Sequence, residues 1–273
     1  MDDNYKSEYN PHIKLDINEI HQGDCLELMN GIPDKSIDMI LCDLPYGTTA
    51  CSWDEVIPFD KLWKQYDRII KDNGVVVLFG SEPFSSSLRM SNINNYKYDW
   101  KWDKNSGSNF VSAKYQPLRI YEDVCVFYKN TPIYNPQMVL RDKNKFRVSG
   151  KSKVGYNPIT GVATQEGKKS SKYQYPTNKL NYDRMGAELN SKHRLHPTQK
   201  PVALLEYLIK TYTNEGCVVL DNCIGSGSTA IACINTNRNY IGIELDEEYY
   251  NIAKNRINKH IDNLSNYRKG AGN

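Results

Sequence analysis

Residues 218–229 read VVLDNCIGSGST, and this stretch decides the fold. Its apolar start predicts a buried strand, and the glycines at 225 and 227 predict a turn that lets the backbone approach a ligand closely. The helix predicted after Gly227 presents free N–H groups to an anion. Residues 239–244, NYIGIE, predict the next strand, with an acid at its carboxyl end. This order of elements is typical of a nucleotide-binding α/β sheet.

The glycine pattern favours one class of ligand over another. The third glycine of G-x-G-x-x-G is missing, because Ser228, Thr229 and Ala230 follow Gly227. The pattern therefore favours a nucleoside with a short tail over a dinucleotide, and S-adenosylmethionine fits that description. Glu244, at the tip of the second strand, is placed to hold the two hydroxyls of a ribose.

A second motif lies far upstream, where residues 37–42, IDMILC, are followed by DLPY at 43–46. The apolar run predicts a buried strand, and ligands bind at the carboxyl ends of such strands. Asp43 and the Leu44 carbonyl can each accept a hydrogen from an exocyclic amino group. Pro45 stiffens the turn, and Tyr46 offers a face for stacking. These residue types suit a flat ring that carries an amino group.

Together with HPTQKP at 196–201, the two motifs resemble those of the β class of amino-directed DNA methyltransferases. The resemblance covers most of the chain outside residues 131–192, and the three motifs follow the order of that class. Two positions depart from the family pattern. Leu44 replaces the first proline of D-P-P-Y, where a backbone carbonyl is needed, and Asn222-Cys223 replaces Pro-Phe in the cofactor motif.

The resemblance implies S-adenosylmethionine as cofactor, no metal, and a set of site residues. The implied catalytic residues are Asp43, Leu44, Pro45 and Tyr46. The implied cofactor residues are Asp24, Cys25, Thr198, Lys200, Asp221, Gly225, Ser226, Gly227, Ser228, Thr229 and Glu244, with Thr198 and Lys200 at the methionine carboxylate. Tyr46, Trp53, Phe110 and Arg119 would contact the base. Simpler roles stay open for three of them: a helix N-cap for Asp24, a helix-start flank for Lys200 and a loop anchor for Trp53.

The expected reaction is methyl transfer to the N6 amino group of an adenine flipped out of double-stranded DNA. Adenine is preferred because adenine enzymes of the family usually begin the D-P-P-Y motif with Asp and N4-cytosine enzymes with Ser. N4-cytosine methylation remains the enzymatic alternative. A catalytically silent DNA-binding protein of the same fold is the alternative from another class.

Charge is unevenly distributed along a chain whose net charge is only +3. Residues 131–192 carry 12 basic against 4 acidic side chains, a net of +8, whereas the remainder carries 23 against 28, a net of −5. This basic, tyrosine-rich segment indicates a nucleic-acid surface, and a solvated insertion is the alternative. We expect a catalytic half over 1–130, a target-recognition insertion over 131–192, a cofactor half over 193–261 and a frayed tail over 262–273. A homodimer and a separate restriction endonuclease are left open as partners.

Composition places the chain among ordinary globular enzymes, with 39% hydrophobic and 25% charged residues. No apolar run approaches the ~20 residues that span a membrane, and the first residues do not resemble a signal peptide. Seven cysteines without a C-x-x-C pair indicate reduced core residues, so we expect a cytoplasmic protein, bacterial or phage-encoded. His193 and His196 have metal-like spacing but lack companion ligands, so a zinc site is rejected.

Alternating patterns predict an α/β fold with a doubly wound, mostly parallel sheet, as in S-adenosylmethionine-dependent methyltransferases. Further strands are predicted at 74–80, 96–102 and 121–128. Helices are predicted at 59–71, 82–90, 201–212 and 246–260.

Overall fold

A computed structural model of the chain describes residues 7–47, 54–141, 172–183 and 199–270. They fall into two compact units, one within residues 1–135 and 178–273 and the other within residues 136–177. In the smaller unit, β6 (Val139–Leu140) and β7 (Tyr173–Gln174) pair antiparallel. The rest of the predicted insertion, at 142–171 and 184–192, lies outside the described residues.

The larger unit contains a sheet flanked by helices. Its strands are β1 (Glu19–Gln22), β2 (Ile37–Cys42), β3 (Ile70–Gly80), β4 (Tyr96–Ser108), β5 (Arg119–Phe127), β8 (Lys179–Asn181), β9 (Val218–Asp221) and β10 (Asn239–Glu244). Its α-helices are α1 (Cys25–Leu28), α2 (Phe59–Ile69), α3 (Phe84–Ser91), α4 (Val202–Tyr212), α5 (Ser228–Asn235) and α6 (Glu247–Gly270). Short 3₁₀ turns occupy Met29–Gly31 and Phe110–Ser112.

The strand order in the sheet is β1-β10-β9-β2-β3-β5-β4-β8. Strand β5 runs antiparallel to both β3 and β4, whereas the other neighbours pair in parallel. Strands β9 and β2 are neighbours, with Met39 opposite Val219. This pairing brings the carboxyl ends of two strands together that lie far apart in the sequence, at the kind of position where open α/β sheets bind ligands.

Both faces of the sheet are buried, which explains the nearly continuous apolar runs of the central strands. Side chains alternate between the faces along β2. Met39 and Leu41 belong to a core cluster with α4, α5 and α6. Ile40 and Cys42 belong to a second cluster with α1, α2 and α3. The mostly parallel sheet is therefore doubly wound, as predicted.

The bounds of several elements differ from the sequence prediction. Strand β3 begins at Ile70, because Ile70 pairs with Ile37 although the polar residues after it resemble a turn. Strand β8 falls inside the predicted insertion but joins the main sheet, where Leu180 packs into the core. Helix α6 continues to Gly270, so the tail expected to be frayed is helical over residues 262–270. Those residues contain no proline or glycine before Gly270 to end a helix already begun.

No helix in the described part of the chain is long and apolar enough to cross a membrane.

Candidate functional site

A cavity of about 440 Å³ opens at the carboxyl ends of four neighbouring strands, β1, β10, β9 and β2. Its size is typical of small-molecule sites. Its wall includes Asp24 and Cys25 after β1, residues 43–46 after β2, residues 222–226 after β9 and Glu244 at the end of β10. Phe79, Trp102, Glu122 and Lys200 complete the wall beside Asp43. The two principal sequence motifs therefore line one cavity.

The loop of residues 43–46, here called the Asp43 loop, is held by side-chain contacts. Tyr46 donates its hydroxyl hydrogen to Oδ1 of Asp43 over 2.6 Å. The Tyr46 ring stacks on Phe84, with centroids 4.8 Å apart and planes inclined by 24°. Leu44 is buried in the core cluster below. One face of Tyr46 is therefore occupied by Phe84, and its hydroxyl fixes the carboxylate of Asp43.

Asp54 closes the turn that follows the Asp43 loop. Its Oδ1 accepts hydrogen bonds from the backbone N–H groups of Tyr46, at 2.7 Å, and Gly47, at 3.0 Å. Gly47 has a φ of 66°, a conformation that favours glycine. Asp54 is buried, and it therefore sets the backbone path that points Tyr46 at Asp43.

Lys200, just before α4, forms an ion pair with Oδ2 of Asp43. Its Nζ also lies 3.6 Å from Oε2 of Glu122 and 5.0 Å from the centre of the Phe79 ring. The other Glu122 oxygen accepts a hydrogen bond from buried Lys104 over 3.1 Å. Asp43, Lys200, Glu122 and Lys104 thus form a row of alternating charges, which we call the buried charge row, and the first three of them line the cavity.

The charges in this row set one another's protonation. Burial raises the pKa of Asp43 above its usual value, and Lys200 offsets part of that rise. Burial alone would lower the pKa of Lys200, but the carboxylates of Asp43 and Glu122 outweigh it and hold the pKa above its usual value. Burial also raises the pKa of Tyr46 well above normal, so its hydroxyl stays a hydrogen-bond donor. Within the row, Lys200 therefore favours the ionised form of Asp43, and the two carboxylates favour the protonated form of Lys200.

The opposite side of the cavity is built around Glu244. Its Oε2 accepts the N–H of Gly225 over 2.8 Å, and its Oε1 accepts the N–H of Asp246 over 3.0 Å. Burial raises the pKa of Glu244, and these backbone hydrogen bonds counter the shift. A carboxylate keeps further acceptor capacity after two such bonds. Glu244 can therefore accept hydrogens from hydroxyl groups of a ligand in the cavity.

The glycine-rich turn, residues 222–227, is held from behind. Gly225 and Gly227 have φ values of 54° and 80°, and a side chain at Gly227 would press against Ile257 of α6. Arg256 of the same helix donates to the Ser226 carbonyl, at 2.9 Å, and to the Ser228 hydroxyl, also at 2.9 Å. Helix α6 therefore fixes the turn that lines the cavity.

Asp221 and Asn222 anchor the start of this turn in the core. Thr229 donates its hydroxyl hydrogen to Oδ2 of Asp221 over 2.5 Å, and the Cys223 N–H donates to Oδ1. Burial raises the pKa of Asp221 to about 6, and both hydrogen bonds work against that rise. Asn222 accepts a hydrogen bond from the Tyr66 hydroxyl over 2.5 Å, and this bond is buried.

A family model described as DNA methylase, for N6 and N4 methyltransferases, matches residues 37–255. This chain belongs to the N6/N4 DNA methylase family. The match includes both sides of the cavity. Among the described residues, no group of three or more His, Cys, Asp or Glu side chains is arranged to hold a metal ion.

Individual members of the N6/N4 DNA methylase family resemble the chain over most of its length. The type II methyltransferase M.HpaI of Haemophilus parainfluenzae is 26% identical over 87% of the chain and 73% of the relative. The DNA adenine methyltransferase YhdJ of Escherichia coli is 28% identical over 87% of the chain and 82% of the relative.

Solved structures of the family share the fold. The M1.HpyAVI–SAM complex is 25% identical, with a TM-score of 0.58, and the match covers 88% of this chain and 98% of the other. The PvuII cytosine-N4-specific DNA methyltransferase is 18% identical, with a TM-score of 0.62 over 91% of this chain and 92% of the other. The PvuII likeness concerns the fold alone.

Most residues predicted from the N6/N4 DNA methylase motifs lie at the cavity. Asp43, Leu44, Pro45, Tyr46, Asp24, Cys25, Lys200, Asp221, Gly225, Ser226, Ser228, Thr229 and Glu244 all line it, whereas Gly227 supports the turn from behind. Thr198 and Trp53 lie outside the described residues. Phe110 and Arg119 do not belong to the cavity wall. Phe110 is exposed, and Arg119 donates to the Glu82 carbonyl over 2.8 Å.

Two predicted residues have structural contacts besides their place at the cavity. Asp24 caps α1, accepting from the N–H of Leu26 over 2.7 Å and of Glu27 over 3.3 Å. A hydrogen bond with Cys223 and burial raise the pKa of the Cys25 thiol, so Cys25 is a neutral thiol in the cavity wall. Neither contact removes these side chains from the ligand's reach.

The structure adds Asp54, Phe84, Lys104, Glu122 and Arg256 to the site residues predicted from the motifs. Phe84 and Asp54 lie within the chain region that follows DLPY, but their types are common in loops and helices. Lys104 and Arg256 are cations in polar stretches, which ordinarily indicates solvent exposure. Their partners are 18 and 30 residues away, so no local pattern could indicate them.

Proposed function

We propose that the protein transfers a methyl group from S-adenosylmethionine to the N6 amino group of an adenine in double-stranded DNA. The observation that carries the proposal is the Asp43 loop, in which the carboxylate of Asp43, the residue Leu44 and the ring of Tyr46 all line the cavity. Membership of the N6/N4 DNA methylase family and the resemblance to the adenine methyltransferase YhdJ support it.

The cavity residues fit the cofactor by their chemistry. Glu244 offers acceptor oxygens for ribose hydroxyls, and Asp24 offers a carboxylate for an adenine amino group. The apolar wall at Ile224, Leu245 and Tyr249 suits the faces of a purine ring. Bound there, S-adenosylmethionine supplies an electrophilic methyl group. The M1.HpyAVI structure, which is a complex with SAM, supports this assignment.

The Asp43 loop would activate the target amino group. The lone pair of an exocyclic amine is delocalised into the ring, which makes the nitrogen a weak nucleophile. Asp43 and the Leu44 carbonyl would accept the two amino hydrogens, and this favours a pyramidal nitrogen with its lone pair directed away from the ring. Contacts that strengthen as charge develops lower the barrier selectively. Lys200 would keep Asp43 ionised for this role.

Tyr46 would hold the extruded base. Reaching an amino group inside a duplex requires the base to leave the stack, and stacking on an aromatic side chain returns part of that cost. Because Phe84 covers one face of Tyr46, the other face or edge is the one left for the base. The Tyr46 hydroxyl at the same time orients Asp43.

The experiment is incubation of the protein with labelled S-adenosylmethionine and unmethylated DNA, followed by nucleoside mass spectrometry. Asp43→Asn keeps the size of the side chain, and Asp60→Asn, at an exposed position on α2, is its matched control. We expect labelled N6-methyladenine with the wild type and Asp60→Asn and none with Asp43→Asn. N4-methylcytosine would overturn the adenine assignment. Cofactor and DNA binding without any labelled base would indicate a silent DNA-binding protein.

A further inference from the structure

The connection between β4 and β5 carries apolar side chains that point into solvent. In residues 109–118, which we call the hairpin tip, Phe110 is 69% exposed, Val111 95% and Tyr115 89%. None of the three lines the cavity. Large apolar side chains clustered in this way on a surface mark a place where another molecule binds.

The hairpin tip is an ordered turn. The N–H of Ala113 donates to the Phe110 carbonyl over 3.1 Å, and the N–H of Gln116 donates to the Ser112 carbonyl over 3.0 Å. At its base, the Ser108 hydroxyl donates to the Arg119 carbonyl over 2.9 Å. The backbone therefore holds the apolar side chains outward before any partner arrives, which lowers the entropic cost of binding.

Charge identifies the partner. From Lys104 to Tyr121 the sequence contains three basic residues and no acidic one. Lys104 is buried against Glu122, whereas Lys114 and Arg119 are exposed. Apolar and aromatic side chains flanked by exposed cations, without acids, complement a polyanion that also offers flat apolar rings. Nucleic acid has both properties.

The hairpin tip lies close to the cavity along strands β4 and β5. Trp102 of β4 and Glu122 of β5 are paired in the sheet, and both line the cavity. Arg119, which directly follows the hairpin tip, is the first residue of β5 and lies three residues before Glu122. At ~3.3 Å a residue this is about 10 Å. Bases along one DNA strand are ~3.4 Å apart. The hairpin tip therefore lies within a few base steps of a base held in the cavity.

We propose that Phe110, Val111 and Tyr115 enter the DNA duplex beside the extruded base and occupy the space that it leaves. Stacking and apolar contact with the flanking bases keep the duplex from closing, while Lys114 and Arg119 contact phosphates. Apolar wedges that part base steps are an established physical device. The inference rests on the proposed function, and it assigns Phe110 and Arg119 to the duplex and not to the base pocket.

The test compares two DNA substrates that carry the methylation site mapped with the wild-type protein. In one the target base is paired, and in the other it stands opposite an abasic site, so that extrusion is already cheap. The variant is Phe110→Ser combined with Val111→Ser and Tyr115→Ser. Its matched control is Met90→Ser combined with Ile93→Ser, two exposed apolar residues elsewhere in the same unit. Single-turnover methylation and light scattering are measured for all proteins.

We expect the triple variant to lose about tenfold or more in rate on the paired substrate, to recover most of it on the unpaired substrate and to keep its oligomeric state. The control should match the wild type on both. An undiminished rate on the paired substrate would overturn the inference, as would an equal loss on both substrates. A dissociated oligomer in the triple variant would also overturn it, by identifying a second copy as the partner. Failure of the wild type to methylate any DNA would overturn the proposed function itself.

Discussion

Lys200 donates to a carboxylate oxygen of Asp43, a residue 157 positions earlier in the chain. The resemblance to the family placed Lys200 at the methionine carboxylate of the cofactor. In the structure it joins two parts of the chain that are distant in sequence, because it lies just before α4 while its ammonium group reaches the loop after β2. Through this contact, the charge on Lys200 acts on the group that would accept the amino hydrogen.

The first prediction concerns the pH dependence of methylation in Lys200→Met. Because Lys200 lowers the pKa of Asp43 against the effect of burial, its loss leaves the pKa of Asp43 still further above normal. In the proposed reaction Asp43 accepts the amino hydrogen as a carboxylate, so activity should be lost as pH falls through its pKa. The acid limb of the single-turnover rate should therefore move to higher pH, and the loss relative to the wild type should grow as pH falls.

Lys210→Met is the matched control for this prediction, since Lys210 is a half-exposed lysine of α4 that forms an ion pair with Glu206. Its profile should overlay that of the wild type. A purely structural role of Lys200 would lower the rate equally at every pH, and such a parallel displacement would contradict the electrostatic role. If Lys200→Met instead lowered only the affinity for the cofactor, measured by calorimetry, the result would support the role at the methionine carboxylate that the family resemblance implies.

Two substitutions at Tyr46 separate its hydroxyl from its ring. Tyr46→Phe removes the hydrogen bond to Asp43 but keeps a ring against Phe84, so we expect a rate loss of about three- to tenfold. Tyr46→Ala removes the stacking surface as well, and we expect a loss of ~100-fold on paired DNA. The rates are measured under single turnover on paired and unpaired targets. If both variants lost the same factor on both targets, the ring would have no role in holding the base.

The strands that are buried on both faces were the ones predicted best from the sequence. Residues 37–42 and 239–244 are strands as predicted, because strands covered on both faces are apolar throughout. Strand β4 continues to Ser108, beyond its predicted end at residue 102, although residues 103–108 are polar. Asp103 and Ser108 form strand because they pair with Tyr121 and Arg119 of β5. Because these residues are polar, the sequence of this hairpin has no alternation of apolar and polar residues that would indicate strand pairing.

Site residues next to an apolar strand could be predicted, whereas contacts between residues that are distant in the sequence could not. Asp43, Tyr46 and Glu244 lie next to strand ends that the apolar pattern reveals, so their place at the cavity could be predicted. The buried charge row could not be predicted. Lys200 contacts Asp43 from 157 residues away, and Lys104 contacts Glu122 across a hairpin whose polar residues carry no apolar pattern. A lysine in the sequence carries no mark of whether its ammonium group meets water or a carboxylate.

Arg256 provides a prediction about cofactor affinity. It connects α6 to the backbone and hydroxyl groups of the glycine-rich turn, so Arg256→Met should loosen that turn without changing groups on the Asp43 side. We expect the Kd for S-adenosylmethionine to rise about 5- to 30-fold, with the single-turnover rate at saturating cofactor nearly unchanged. Lys259→Met, at an exposed position on the same helix, is the control. A fall in the saturated rate with an unchanged Kd would contradict this division of roles.

The last prediction concerns stability, because the raised pKa of Asp221 makes folding depend on pH. The pKa is about 6 in the folded protein and 3.8 for an ordinary aspartate, and burial is the main cause. Between these values the folded state binds a proton that the unfolded state does not, so Asp221 contributes stability at low pH that is lost as pH rises through 6. Asp221→Asn removes this dependence. Relative to Asp221→Asn, the wild-type free energy of unfolding should fall by up to about 3 kcal/mol from pH 4 to pH 7, measured by urea unfolding without cofactor.

Thr229→Val provides a second test of this prediction, since losing its hydroxyl removes a hydrogen bond that lowers the pKa of Asp221. The pH at which the difference appears should then move upward, and a midpoint that stayed in place would show that Thr229 does not stabilise the ionised carboxylate.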